Sequence, residues 1–267
     1  MTHLPDTEQS DIQRATSLAP RTTWPAALSA VYTGQLARVR VARAPLLFVA
    51  TLQSVGILLL LRGVVHTSDR QTAAAIVAGS SVLVVAFVAL NLLAQRFGAL
   101  RAARALDYYA ALPIPLPAVV LGTAASYATF TLPGALVTAV VGVAVYGLPA
   151  AHLWVALPVA VCCGVALAGL GAALGLALPR AELATVAGQL GMTAVLFLGV
   201  IPPSHLPVAA RVARDFVPSM LAVDALAHAL RGPLDPAGLV WRLAVTLAMG
   251  VVGLAVSGRL LRRAVHE

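Results

Sequence analysis

Histidine, cysteine and serine are the residue types in this chain that could carry catalysis or hold a metal, and none has the spacing for it. His205 and His228 have no further ligands at the spacing that a zinc site needs. Cys162 and Cys163 are adjacent within an apolar run, which is typical of small buried side chains. No serine combines with a histidine and an aspartate in a pattern that indicates a hydrolase. The sequence therefore predicts no catalytic residue and no metal site, and the chain is expected not to be an enzyme.

The basic residues exclude one activity directly. All 18 are arginine, and the formal net charge is +8. A Walker A loop needs a lysine that reaches the terminal phosphates of ATP, so no such loop can be written in this chain. If ATP drives this protein, another subunit must hydrolyse it.

The hydropathy pattern predicts a membrane protein. Hydrophobic residues make up 60% of the chain and the mean hydropathy is +0.91, well above soluble domains. A membrane-spanning helix needs roughly 20 apolar residues. Six stretches meet this requirement: residues 45–65, 72–95, 117–146, 153–178, 183–201 and 239–261. We therefore expect an all-α polytopic protein with six transmembrane helices.

The arginines predict the orientation. With the N-terminus in the cytosol, 12 of the 18 arginines fall on the cytosolic side, which the positive-inside rule favours for both termini. Residues 1–23 are polar and are expected to form a disordered cytosolic tail, and residues 24–267 the membrane domain. Before the first span, Leu28, Val31, Tyr32, Leu36 and Val39 recur at helical spacing. This pattern predicts an interfacial helix, or else a juxtamembrane charge cluster that only sets the topology.

The cytosolic loop between spans two and three has the residue types of a docking element. Arg101, Arg104 and Tyr108 stand at i, i+3 and i+7, which would place them on one helical face beside Tyr109. Arginine and tyrosine are enriched at interface anchors, so we expect the loop to insert into a cytosolic partner. A solvated loop that only sets topology is the alternative.

The hydrophobic stretch after span five is interrupted by four prolines and by charges between residues 202 and 218. Such a segment cannot continue as a lipid-facing helix. It predicts two short helices, over residues 208–216 and 219–230, with Ser219 as the N-cap of the second. In the second helix, Asp224, His228 and Arg231 form a polar stripe. We expect this pair at the outer interface, or dipping into the membrane and returning.

A few polar residues stand within the predicted spans: Gln53, Asn91, Gln189 and Thr193. Intramembrane polar groups are either hydrogen-bonded between helices or part of a transport pathway. These four residues are the pathway candidates.

The order of these elements resembles the membrane subunit of a type 2 ABC transporter, over about residues 24–263. The segment after span five is similar to the family's external turn and helix, and the loop between spans two and three is similar to its coupling loop. The matching positions are Gly199, Pro203, Leu206, Pro207, Pro218, Ser219, Asp224, Ala225 and Arg231 in the first, and Arg96, Gly98, Leu112 and Pro113 in the second.

The resemblance implies a half-sized permease in a bacterial cytoplasmic membrane. It would pair with a second copy or a paralogue and with two cytosolic ABC ATPase subunits that hold the ATP and Mg²⁺; no cofactor is expected in this chain, and lipids but no nucleic acid among its partners. The implied ATPase-coupling residues are Arg96, Arg101, Arg104, Tyr108 and Tyr109. The implied external gate contains Pro203, Pro207, Pro218, Asp224, His228 and Arg231. The expected cargo is hydrophobic or amphiphilic.

Two other functions stay open at this point. A proton-coupled secondary transporter would need a titratable residue deep in the membrane, and none of the 10 acidic residues lies at the centre of a predicted span. A membrane assembly or immunity protein that does not transport could use the same fold, because fold alone does not determine function.

Overall fold

The computed structural model describes residues 23–38, 40–64, 69–112, 114–200, 214 and 217–266. In these ranges the chain is helical and contains no strand, so the all-α prediction is confirmed. The helices are α1 Trp24–Arg38, α2 Arg40–Val64, α3 Arg70–Val85, α4 Leu93–Ala102, α5 Leu106–Ala111, α6 Leu116–Tyr146, α7 Ala156–Ala177, α8 Ala181–Val200, α9 Pro218–Arg231 and α10 Pro236–His266. A π-helical segment, Ala86–Leu92, joins α3 to α4, and a 3₁₀ turn, Ala150–Val155, precedes α7. Apart from Thr23, the predicted tail over residues 1–23 lies outside the described residues.

Five helical stretches are long and apolar enough to cross a membrane: Arg70–Ala102, Pro117–Tyr146, Ala150–Ala177, Ala181–Gly199 and Pro236–Arg263. They correspond to predicted spans two to six. The first predicted span coincides with a shorter apolar stretch, Leu47–Gly63, within α2. The stretch Arg70–Ala102 is 33 residues long, or about 50 Å, so it exceeds the roughly 30 Å hydrocarbon layer. The stretch is thus longer than one crossing requires, and its α4 end leads into the predicted docking loop.

The stretch from α3 to α4 is the centre of the bundle, with α2, α6, α8 and α9 packed around α3. Small residues make this close packing possible. A Cβ atom added at Gly171 would lie 2.6 Å from the carbonyl oxygen of Leu90, and one at Gly175 would lie 2.5 Å from that of Ala94. Because backbone atoms cannot move aside as a side chain can, α7 reaches the central helix only with glycine at these two positions.

Helix α1 packs on α6. Val31 lies against Gly122, and the hydroxyls of Tyr32 and Thr129 are 3.3 Å apart. Part of the apolar face that predicted an interfacial helix therefore contacts protein. The position of Val39 lies outside the described residues.

Helix α9 lies inside the bundle. Its residues are mostly buried, and it packs against α3, α7, α8 and α10. The predicted amphipathic helix is therefore covered by protein on most of its surface. Its depth, at the outer interface or dipping into the membrane and returning, stays a prediction. The physical reason for this burial is that Met220, Val223, Leu226 and Leu230, together with four alanines, cover nearly the whole circumference of the helix with apolar side chains.

Candidate functional site

The predicted docking loop is two short helices joined by a tight turn. Helix α4 ends at Ala102, residues 103–105 form the turn, and α5 begins at Leu106. Arg104 has a φ of 50°, in the left-handed region that is costly for residues with a Cβ. The expectation that Arg101, Arg104 and Tyr108 share one continuous helical face is therefore wrong, because the turn redirects the chain between them.

Arg101 contacts a neighbouring helix of the same chain. Its Nη1 donates hydrogen bonds to the carbonyl oxygens of Leu176, at 2.6 Å, and Leu178, at 3.4 Å. These carbonyls belong to the end of α7, where the helix has no further N–H groups to pair with them. A positive charge at a helix C-terminus is also favoured by the helix dipole. Arg101 thus fixes the loop to the C-terminal end of α7, a contact that its position in the sequence did not indicate.

Arg104 and Tyr108 are the members of the loop that face outward. Both are exposed, and 66% of the Tyr108 surface is accessible. The ring of Tyr109 meets that of Tyr108 edge to face, with centroids 5.8 Å apart and an interplanar angle of 75°. Tyr109 is half-buried and lines a groove beside Gly34 of α1, while Arg96 is half-buried on α4. The structure therefore presents one cation and one aromatic ring, Arg104 and Tyr108, which we name the loop tip.

Three of the four polar pathway candidates come together at the π-helical segment. Asn91 lies in that segment and donates through Nδ2 to Oε1 of Gln189 at 3.3 Å. Its Oδ1 accepts a hydrogen bond from Nε2 of Gln95 at 3.0 Å. Thr193 donates to the backbone carbonyl of Gln189 at 2.9 Å. Gln95 was not predicted as a site residue, although its position four residues after Asn91 on a helix would have indicated the contact.

Gln53 is not part of this polar group. It lies on α2, on a face that is exposed, and Gln189 is exposed on α8. α2 and α8 both pack on α3 and each has an outward apolar face. The two glutamines are thus amide groups on the apolar outer surface of the bundle.

An ion pair inside the bundle connects α9 to the segment that precedes it. The guanidinium of Arg214 meets the carboxylate of Asp224 in a bidentate arrangement, with N–O distances of 2.6 and 3.0 Å. Its Nε also donates to the carbonyl oxygen of Leu198, near the end of α8, at 3.4 Å. The side chain of Arg214 is 7% exposed and that of Asp224 28%. Sequence reasoning treated Arg214 only as a helix-breaking charge, since nothing in its local pattern indicates a partner ten residues away.

The remaining gate candidates have separate environments. Pro218 is the first residue of α9, and Val217 takes the N-cap position, so the prediction that Ser219 caps this helix is wrong: Pro218 starts the helix one residue earlier. His228 is exposed and its Nδ1 donates to the carbonyl oxygen of Asp224 in its own helix at 2.8 Å. Arg231 is half-buried, and among the described residues its Nε has no partner. Pro203, Pro207, His205 and the helix predicted over residues 208–216, except Arg214, lie outside the described residues.

Over the described ranges, no group of three His, Cys, Asp or Glu side chains is arranged to hold a metal ion. The candidate site has three parts in the described ranges: the exposed loop tip, the Asn91 polar group and the Arg214–Asp224 pair.

Comparison with known families places these elements in context. Residues 30–230, which are three quarters of the chain, match the family model described as ABC-2 type transporter. The match begins within α1 and ends within α9, so it contains the loop tip, the polar group and the ion pair. No curated protein matches the chain.

Proposed function

The chain belongs to the ABC-2 type transporter family, and we propose that it is the permease subunit of an ATP-driven exporter of a hydrophobic or amphiphilic substrate. Membership of this family implies association with an ABC ATPase subunit. The observation that carries the proposal is the outward-facing loop tip at the end of the central helical stretch, in a chain without lysine. Such a chain cannot hold a Walker A loop, so ATP and Mg²⁺ would bind on the ATPase.

In the proposed mechanism, the loop tip docks into the ATPase and Arg101 transmits its movement. A tyrosine that is mostly exposed and an adjacent arginine can bury large contact areas in a partner groove. When the ATPases close on ATP, they would displace the turn at residues 103–105. Because Arg101 is bonded to the end of α7, and α4 continues into α3, this displacement would reach two spanning helices together.

The exposed faces of α2 and α8 support assembly with a second copy of the chain or a paralogue. Each face is apolar but carries one amide, Gln53 or Gln189. Exposing an amide to lipid is unfavourable, so these positions suit a protein contact or a water-filled pathway better than the bilayer. We place the substrate pathway between the two permeases, along these faces and the Asn91 polar group.

The buried α9 would act as the gate at the outer end of the pathway. Its ion pair with Arg214 and the bond from Arg214 to Leu198 hold α9, the preceding segment and α8 in one arrangement. Outward opening would move α8 relative to α9 and exchange these contacts. The distribution of arginines supports an orientation with both termini in the cytoplasm. The bacterial cytoplasmic membrane is the location that the family resemblance implies.

Mutation of the loop tip tests this proposal. The double variant Arg104→Ala/Tyr108→Ala should abolish co-purification with the partner ATPase and stop ATP-dependent export from cells. Arg263→Ala, which removes an exposed arginine near the chain's C-terminal end, is the matched control and should retain both. Unchanged association and export in the double variant would refute docking by this loop.

A second experiment distinguishes an ATP-driven exporter from the two alternative functions. Export should stop when the catalytic glutamate or the Walker A lysine of the partner ATPase is replaced. Export that continues in that background but stops when the proton gradient is removed would instead establish a secondary transporter. A cellular phenotype that needs neither would indicate a membrane protein that does not transport.

A further inference from the structure

A groove between α6 and α10 has a cavity of about 360 Å³. One wall is formed by Pro117 and Leu121 from the beginning of α6, and the other by Val251 and Leu254 from α10. The groove opens outward beside Ala255, which is exposed. Its inner part is therefore apolar and accessible from the hydrocarbon layer.

The length of the groove matches one leaflet. From Val251 to Arg262 there are eleven helical steps of about 1.5 Å, or about 16 Å along α10. This is close to half of the roughly 30 Å hydrocarbon core. Gly258 has no side chain, so the backbone of α10 lines the groove at this position. A Cβ atom added at Gly258 would lie 3.7 Å from Pro117, which is an ordinary contact distance.

The mouth of the groove is positively charged. Arg259 and Arg262 line it, both are exposed, and its lining contains no acidic side chain. The Nε of Arg262 donates to the carbonyl oxygen of Gly258 at 3.4 Å, which directs the guanidinium along the groove. Arginine is the side chain best suited to binding phosphate oxygens, because its planar donors match their geometry.

We propose that this groove binds an anionic phospholipid, with an acyl chain along Leu121 and Val251 and the headgroup phosphate on Arg259 and Arg262. Charge complementarity identifies the ligand: two arginines without a lining carboxylate attract a headgroup with net negative charge more than a zwitterionic one. Basic pockets between spanning helices are a recognised form of such sites. The inference is independent of the transported substrate.

The position of the groove agrees with this ligand. α10 also packs against α5, so the mouth lies at the same end of the bundle as the loop tip. With the orientation proposed above, that end faces the cytosolic leaflet, where anionic lipids attract basic side chains.

The test is lipid binding by the purified full-length chain. Native mass spectrometry of detergent-solubilised protein, titrated with phosphatidylglycerol or phosphatidylcholine, should show tighter binding of phosphatidylglycerol. Arg259→Gln/Arg262→Gln should remove most of that difference, roughly fivefold for each arginine and about 25-fold for both. Arg263→Gln removes one arginine in the same turn that does not line the groove, and it should leave the preference unchanged.

A second variant tests the acyl-chain part separately. Ala255→Trp adds a large ring at an exposed position of the groove without changing charge, and it should weaken binding of both lipids. The proposal is overturned if Arg263→Gln reduces the preference as much as either groove arginine, because the basic surface would then act without a site. It is also overturned if the two lipids bind equally or if Ala255→Trp changes nothing. Retention of the variants as single peaks in size-exclusion chromatography establishes that they are folded.

Discussion

The ion pair between Arg214 and Asp224 gives the sharpest test of how the bundle is held together. The variant Asp224→Asn keeps the size and the hydrogen-bonding oxygen of the side chain but removes its charge. The guanidinium of Arg214, which is 7% exposed, would then lie in the bundle without a counter-charge. An uncompensated buried charge is strongly unfavourable, so this variant should be less stable than the wild type.

The expected size follows from burial. Breaking a fully buried pair costs about 3–5 kcal/mol. Asp224 is 28% exposed, so water already screens part of the interaction, and we expect a loss of about 2–3 kcal/mol for Asp224→Asn. Arg214→Met should cost about 1–2 kcal/mol, because the carboxylate that remains is the more exposed partner. Arg214→Met/Asp224→Leu removes both charges together and should lie within about 1 kcal/mol of the wild type.

The assay is thermal unfolding of the purified chain in detergent, measured for the two single variants and the double variant as a double-mutant cycle. The interaction energy should be about 2 kcal/mol or more. Asp235→Asn removes a carboxylate at an exposed position before α10 and serves as the control, with a change within about 0.5 kcal/mol. If the double variant is destabilised by the sum of the single variants, the two side chains contribute independently and the reasoning from the pair is refuted.

Three further predictions concern the contacts that position the spanning helices. Arg101→Ala should lower stability by about 1.5–3 kcal/mol in detergent unfolding, because it removes the charged donor to the end of α7; a change below 0.5 kcal/mol would contradict that contact. Gly175→Val should lower the free energy of unfolding by about 3 kcal/mol or prevent folding, because its Cβ would lie 2.5 Å from the Ala94 carbonyl oxygen. Gly56→Ala is the control: nothing lies within 4 Å of its Cβ position, so stability should be unchanged or slightly higher. The N–H of Gln71, followed by the hydroxyl and N–H of Thr72, lowers the pKa of Asp69 at the start of α3. The stabilisation by the Asp69 carboxylate is therefore complete above the unfolded pKa of about 3.9 and is lost as the pH falls through the lower folded pKa. Asp69→Ala should unfold at a lower temperature than the wild type at pH 7. This difference in unfolding temperature should decrease below about pH 4. A difference that is constant down to pH 3 would contradict this role for the carboxylate.

Much of the candidate site could be predicted from local pattern, and the errors have a common cause. The bounds of the second helix after span five, predicted at 219–230 and observed at Pro218–Arg231, agree closely because prolines, charges and apolar periodicity act over a few residues. The docking role of the loop between spans two and three stays a prediction. The prediction that Arg101 and Arg104 share one helical face was wrong, because helical spacing holds only while the helix continues. The turn at residues 103–105 ends the helix. The burial of α9 was not anticipated because its polar stripe suggested an outward face, whereas Asp224 of that stripe pairs inside the bundle with Arg214, which lies outside the helix.

The sequence by itself determined that this protein folds in a lipid bilayer and that its secondary structure is helical. Runs of about 20 apolar residues must become helices in a bilayer, since each backbone polar group needs a partner there, and the absence of lysine excludes a Walker A loop whatever the fold. Only the tertiary structure decided which arginine stabilises the bundle and which one faces outward. Arg101 meets the end of α7 some 75 residues later, and Arg104 projects from the adjoining turn, although the two stand three positions apart. Such contacts depend on how the helices pack around α3, and packing across the bundle leaves no periodic signal in the chain.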